Sequence, residues 1–318
     1  MRHRKGASAP ADTSTAATHT AYPVSLGGSQ PAYDAGSMDA YDFRYGAATT
    51  DTVAANAFGT FRSRSSRLEA KESSLSYTSQ VLLLQVMDRI PFEVSHYFVP
   101  SPSRLHEAVL SRIREQYGRP YSGENELDVE LLGRLWNGHN RVMFAPKDLA
   151  FSPEAHSVSD RWKEMGFQGT DPSTDFRGAG VLGLVNLVYL VEHYPQQWSA
   201  ILTPDFLAAA AGLNVTLRLS TLLGINSSVN QFSASILSSY SARAARLRLC
   251  RFIYDSSVDV AIQRLCEVYC FAMRLLHYRW ILSSRNIMEF NQLLTTVYEE
   301  LDRLLFMSKT LEGLCTLL

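Results

Sequence analysis

The sequence predicts an all-α fold: a single multi-helix domain over residues 75–318 behind a disordered, low-complexity tail, residues 1–74. Three observations lead there. The first 72 residues contain four aliphatic β-branched or leucine side chains, Val24, Leu26, Val53 and Leu68, whereas Ala, Ser and Thr supply 31 of them. Such a segment cannot bury enough apolar surface to offset the entropy of ordering its backbone. Beyond it, apolar residues recur at spacings of three and four, the period of a helix with one buried face. Alternating patterns that would mark strands are scarce.

The tail begins MRHRKGASAPADTSTAATHT, basic and rich in Ser, Thr and Ala as in a transit peptide. It lacks the Leu or Phe stripe of an amphipathic targeting helix and reads as a solvated tail. Arg62-Ser63-Arg64-Ser65-Ser66-Arg67 suits a phosphorylation-controlled docking segment, against the plainer reading of a charged linker. Leu82–Val86 reads as the start of a helix or a lead-in segment rather than a strand. Leu105, Val109, Leu110, Ile113 and Tyr117 form one apolar face, and Leu127, Leu131, Leu132, Leu135 and Trp136 a second. Gly178–Val191 is apolar and uncharged, which predicts a packed helix, but its 14 residues are too few to cross a bilayer. Leu219–Ala242 is long enough but too rich in Ser, Asn and Thr. Ile225–Tyr240 reads as a loop, and Arg243, Arg246, Arg248 and Arg251 spread around the next helix as a solvated surface. Val260–Leu282 is apolar nearly all round and predicts a central buried helix. Leu293, Leu294, Val297, Tyr298, Leu301, Leu304 and Leu305 mark the last long helix, with Asn286 and Glu289 as a capping pair at its start.

Composition excludes several function classes. Lys and Arg total 30 against 31 Asp and Glu, so binding of nucleic acid by bulk charge is not expected. Four cysteines in 318 residues do not build a disulfide scaffold. Cys266 and Cys270 stand four apart on a predicted helix without a second ligand pair, and the histidines show no metal-ligand spacing, so no metal site is expected. No secretory signal precedes the domain; the expected location is the cytoplasm, with at most peripheral contact with an organelle membrane.

The informative stretch is Trp162–Tyr194, WKEMGFQGTDPSTDFRGAGVLGLVNLVYLVEHY. Gly178-Ala179-Gly180-Val181-Leu182-Gly183 matches a dinucleotide-binding G-x-G-x-x-G, but the preceding residues Asp171–Arg177 are a polar turn, not an apolar strand, and no βαβ unit follows. The stretch reads instead as a loop leading into a packed helix. Asp171 is placed to cap a short turn that starts at Pro172. Gly180 and Gly183 suggest that another element approaches closely, since glycine within a helix costs about 1 kcal/mol against alanine. Asp175 and Arg177 lie at the junction, where a charged side chain is held by the fold yet reaches outward. On the residues alone, Arg177 either reaches outward or closes a salt bridge to Asp175.

These residues resemble the ELMO domain. The resemblance rests on Trp162, Gly166-Phe167-Gln168-Gly169, Asp171-Pro172, Thr174-Asp175-Phe176-Arg177-Gly178, Gly180 and Leu182-Gly183-Leu184, and extends to Leu135-Trp136, Leu213-Asn214-Val215-Thr216, Trp280 and Ile287-Met288-Glu289-Phe290-Asn291. It implies one of two functions. Short ELMO-domain proteins are GTPase-activating proteins for Arf and Arf-like GTPases; longer ones are adaptors for DOCK-type exchange factors in engulfment and migration. The longer branch carries an armadillo-type region and a pleckstrin-homology domain, for which this chain has no room, and lacks the activating arginine. The resemblance therefore implies the short branch, with Arg177 as an arginine finger. Gln168, Gly169, Asp171, Thr174, Asp175 and Gly178 are the expected GTPase-facing loop. Within it, Gly178 would keep the turn from crowding the partner, and Gln168 would orient a water or the partner's switch or else serve as a structural amide. No cofactor is expected, because GTP and Mg²⁺ belong to the partner.

Overall fold

The computed structural model describes residues 102–144, 150–226, 240–308 and 310–315, together with Ser79, Leu82, Gln85, Val86 and Arg89. The expected tail and its Arg62–Arg67 segment lie outside these residues, as does most of the expected 225–240 loop. Leu82, Gln85 and Val86 are helical, in keeping with a helix start. The described residues form an all-α structure, and their one β feature is an isolated bridge between Thr203 and Phe206.

The helices follow their caps. Helix α1, Arg104–Tyr117, starts from Ser103, whose hydroxyl accepts from the His106 amide while His106 reaches back to the Ser103 amide. This reciprocal cap satisfies two donors that the first turn leaves without partners. Helix α2, Glu126–Met143, is capped by Asn125, which accepts from Leu127 and Asp128. Two short turns, α3 (Pro153–His156) and α4 (Arg161–Glu164), lead into a 3₁₀ turn, Pro172–Arg177. Helix α5, Gly180–His193, follows, then α6, Pro195–Ile201, with proline at its first position. Helix α7, Ala208–Leu223, ends at Gly224 in the left-handed region, φ 69°. Helices α8 (Tyr240–Ile253), α9 (Val258–Leu282), α10 (Phe290–Ser308) and α11 (Leu311–Cys315) complete the order.

Helix α5 is packed against α2, α7 and α9, and α9 in turn against α7 and α10. That arrangement explains why α5 and α9 are apolar nearly all round: each is covered on several sides. Two side-chain links fasten the layers. Asn186 on α5 donates to Thr216 on α7 at 2.9 Å in a buried setting. Glu267 on α9 accepts from the hydroxyls of Tyr189 and Tyr194.

Four local readings need correction. Leu105 does not belong to the buried face of α1; it is 65 % exposed. Leu127, at the first turn of α2, is also exposed, although Leu132, Leu135 and Trp136 are buried. Asn286 caps a short 3₁₀ turn, Ile287–Glu289, rather than α10 itself, and Glu289 accepts instead from Ser284. Arg251 of α8 is exposed as expected, but Arg246 and Arg248 are not a solvated surface. Arg246 makes a forked pair with Glu107 of α1, and Arg248 with Asp302 of α10. Charge partners far apart in sequence turn a spread of arginines into inter-helix ties.

Two buried histidines give the fold a defined pH response. Burial lowers His139 to about 4, with Arg161 adding to the effect. Burial likewise lowers His277 to about 4, with Asp205 opposing and Arg285 reinforcing it. The His139 ring accepts from the Trp198 indole at 3.2 Å, so the neutral form fits the site. The unfolded chain binds these protons near pH 6.5, before the folded chain does. Stability is therefore full above pH 6.5 and falls as pH drops toward 4, by at most about 3 kcal/mol per ring. Urea midpoints measured from pH 7 to pH 4 should fall through that window. The fall should be shallower in His139→Gln; an unchanged slope in that variant would refute the assignment.

Candidate functional site

The site is built on an aromatic column. Trp136 of α2 lies against Trp162 of α4 at 5.1 Å between ring centroids. Trp162 meets Phe167 edge-on at 5.6 Å, Phe167 meets Phe176 at 5.8 Å, and Tyr121 closes on Phe176 at 5.1 Å. Trp136, Trp162, Phe167 and Phe176 are all buried. Pairs of this geometry contribute about 0.5–1.5 kcal/mol each beyond the area they bury. Phe176 thus pins the 3₁₀ turn to the core, and the next residue, Arg177, is left on the outside.

Hydrogen bonds fix the rest of the turn. Asp171 accepts from the Ser173 amide at 2.9 Å, the capping role read from the sequence. The Thr174 hydroxyl donates to the Asp171 carbonyl at 2.9 Å. Asp175 Oδ2 accepts from the Gln168 amide at 2.8 Å, tying the turn to the Gly166–Gly169 segment. Asn226 donates to the Gly178 carbonyl from the end of α7. The Asp175–Arg177 salt bridge does not form. Arg177 is exposed and has no hydrogen-bond or ion-pair partner among the described residues. The Gln168 side chain is exposed too, so it is not a structural amide.

The glycines divide into two kinds. Gly180, at φ 61°, begins α5 where a Cβ would sit 2.5 Å from the Arg119 carbonyl oxygen; that oxygen accepts from the Val181 amide at 3.1 Å. At Gly183 a Cβ would come within 2.6 Å of Leu213. These are the close approaches expected from their spacing. Gly178 is different: its φ is −86°, and a Cβ would meet Leu217 at an ordinary 3.6 Å. Nothing inside the fold requires glycine at that position.

The turn forms one wall of a shallow cleft of about 240 Å³. Gln168, Thr174, Asp175 and Gly178 line this side, and Ala210, Leu213, Asn214 and Leu217 of α7 line the other. Four of the expected loop residues therefore meet at one place beside Arg177. Asp171 serves the turn from within, and Gly169 does not line the cleft. The α7 wall was missed as part of the site. Its signal is the 210, 213, 214, 217 spacing, one face of a helix, but pairing that face with the turn needs the fold.

Elsewhere, among the described residues no group of three or more His, Cys, Asp or Glu is placed to hold a metal ion. Cys266 and Cys270 are free and buried, and burial raises both thiols, so they are inert toward oxidants and electrophiles. No helix among the described residues is long and apolar enough to cross a membrane.

The site is thus an exposed arginine on a turn anchored by the aromatic column, beside a shallow cleft. Comparison with known proteins supplies the lineage. The chain matches the ELMO/CED-12 family over residues 111–294, more than half its length, and it belongs to that family. It is similar to human ELMO domain-containing protein 2, 40 % identical over 111 residues, which cover 33 % of this chain and 35 % of the human one. It is also similar to ELMO domain-containing protein C of Dictyostelium discoideum, 29 % identical over 189 residues, 58 % of this chain and 27 % of that one. ELMO domain-containing protein 1 of Pongo abelii is 26 % identical over 189 residues, 58 % of this chain and 55 % of its own. The match spans about a third of the length of the human relative. No solved structure matches the chain.

Proposed function

We propose that this protein stimulates GTP hydrolysis on an Arf or Arf-like small GTPase by lending Arg177 to the partner's nucleotide. Hydrolysis develops negative charge on the transferred phosphoryl group and the leaving oxygen, and a guanidinium delivered in trans stabilises it. The observation that carries the reading is Arg177 itself. Its neighbours Phe176, Asp175 and Asp171 are engaged in holding the turn, while its own guanidinium has no partner among the described residues. Arginine suits the task because it remains charged and offers a planar fork of donors. Gln168, exposed on the rim of the same cleft, would touch the partner's switch region.

The test is a panel of purified, GTP-loaded Arf and Arf-like proteins, with phosphate release as the readout. At least one member should hydrolyse GTP about 10³-fold faster with this protein than without it. A GTPase that binds the protein with no change in rate would instead make it an adaptor, the role associated with DOCK-type exchange factors.

A further inference from the structure

The cleft beside Arg177 carries a charge that the finger does not use. Asp175 is the one ionisable residue lining it. Its Oδ2 takes the Gln168 amide hydrogen, while Oδ1 has only a long 3.5 Å contact with the Thr174 hydroxyl. A carboxylate offers about four lone-pair positions, so acceptor capacity remains. Asp175 is half-buried, yet no Lys or Arg pairs with it among the described residues. Four other half-buried or buried acids have a cationic partner, Asp128 with Arg119, Glu192 with Arg134, Asp302 with Arg248 and Glu300 with Arg279, and Glu267 instead takes two tyrosine hydroxyls. Arg177, two residues away on the same turn, leaves Asp175 alone.

The opposite wall completes the chemistry. Leu213 and Leu217 give an apolar floor. Asn214 lies on the same face; its Nδ2 donates to the Ala210 carbonyl at 2.9 Å, which leaves its Oδ1 as an acceptor. A carboxylate and an amide oxygen above two leucines suit a cation on an aliphatic stem.

We infer that this cleft receives a lysine or arginine side chain of the docked GTPase, its stem on Leu213 and Leu217 and its cationic head on Asp175 and Asn214. The inference rests on the GTPase-activating reading and deepens it. The turn then offers two signs to one partner, Arg177 toward an anion and Asp175 toward a cation. Two opposite contacts a few residues apart set the angle at which the partner docks, because a rotated partner loses both.

Two measurements on the full chain test this separately from the function. The first is an NMR titration with n-butylammonium and, as the neutral control, n-butanol. Butylammonium should shift the amides of Gln168, Asp175 and Asn214 saturably at millimolar concentration, butanol should not, and Asp175→Asn should remove the response. Asparagine retains an oxygen for the Gln168 amide, so the turn survives. The second uses a GTPase that responds in the panel. Asp175→Asn should raise its KM about tenfold and flatten the dependence of KM on salt, with the loss falling on KM rather than on maximal rate. Asn214→Lys, which fills the cleft from an exposed helical position, should weaken binding to a similar degree and serves if Asp175→Asn proves unstable. Butylammonium binding with no responsive GTPase overturns the GTPase reading alone. No preference for butylammonium over butanol, or an unchanged KM and salt dependence in both variants, overturns the cleft assignment.

Discussion

Arg177→Ala should abolish stimulated hydrolysis, lowering the rate at saturating protein by about 10³-fold while the fold stays intact. The size follows from what a trans guanidinium contributes to phosphoryl transfer. The intact fold follows from the structure: Arg177 is exposed and unpaired, and surface changes away from packing or caps alter stability by about 0.5 kcal/mol or less. Arg177→Lys should lose most of the activity as well, since an ammonium keeps the charge without the planar fork. Single-turnover phosphate release, with thermal unfolding of each variant measured in parallel, checks both halves. Full stimulation by a folded Arg177→Ala protein would falsify the finger. The loss should appear in the maximal rate and much less in KM, the reverse of the pattern expected for Asp175→Asn.

Gly180→Ala should destabilise the domain by about 3 kcal/mol. The φ of 61° places the new side chain in the left-handed region, at a cost of about 1–2 kcal/mol. Its Cβ would also stand 2.5 Å from the Arg119 carbonyl, and such overpacking costs about 1–3 kcal/mol more. Backbone movement there reaches the core, because Arg119 also holds buried Asp128 in a forked ion pair. Gly178→Ala, two residues earlier, is the control. Its φ and ψ are −86° and −44°, which alanine adopts freely, and its Cβ would make an ordinary contact with Leu217. Its stability should change by less than about 1 kcal/mol, while the added methyl, lying in the docking face, raises KM for the GTPase. Urea unfolding of both variants checks the contrast through a shift of midpoint at constant slope. Equal stability losses in the two would refute the packing account of Gly180.

Some of the site was legible before any fold was known. The Asp171-Pro172 pair announces a capped turn because the cap and the proline act within three residues of each other. The glycines at 180 and 183 announce a close approach because nothing else explains them early in a helix. The fate of Asp175 and Gln168 was not legible. The bond between them links residues seven apart through a turn whose shape is set by Phe176 in the aromatic column. Nor was the cleft, whose second wall is supplied by α7 more than thirty residues downstream. The α8 arginines make the same point: Glu107 and Asp302, their partners, are 139 and 54 residues away.

By itself, then, the sequence determined the all-helical class and the buried identity of α5 and α9. These depend on period, propensity and local turns, which act over a few residues. Only the tertiary structure decided that Arg177 stands free instead of pairing with Asp175, and that a second wall faces the turn. Those outcomes depend on which distant groups satisfy a charge or cover an apolar face, and chain spacing alone does not contain that information.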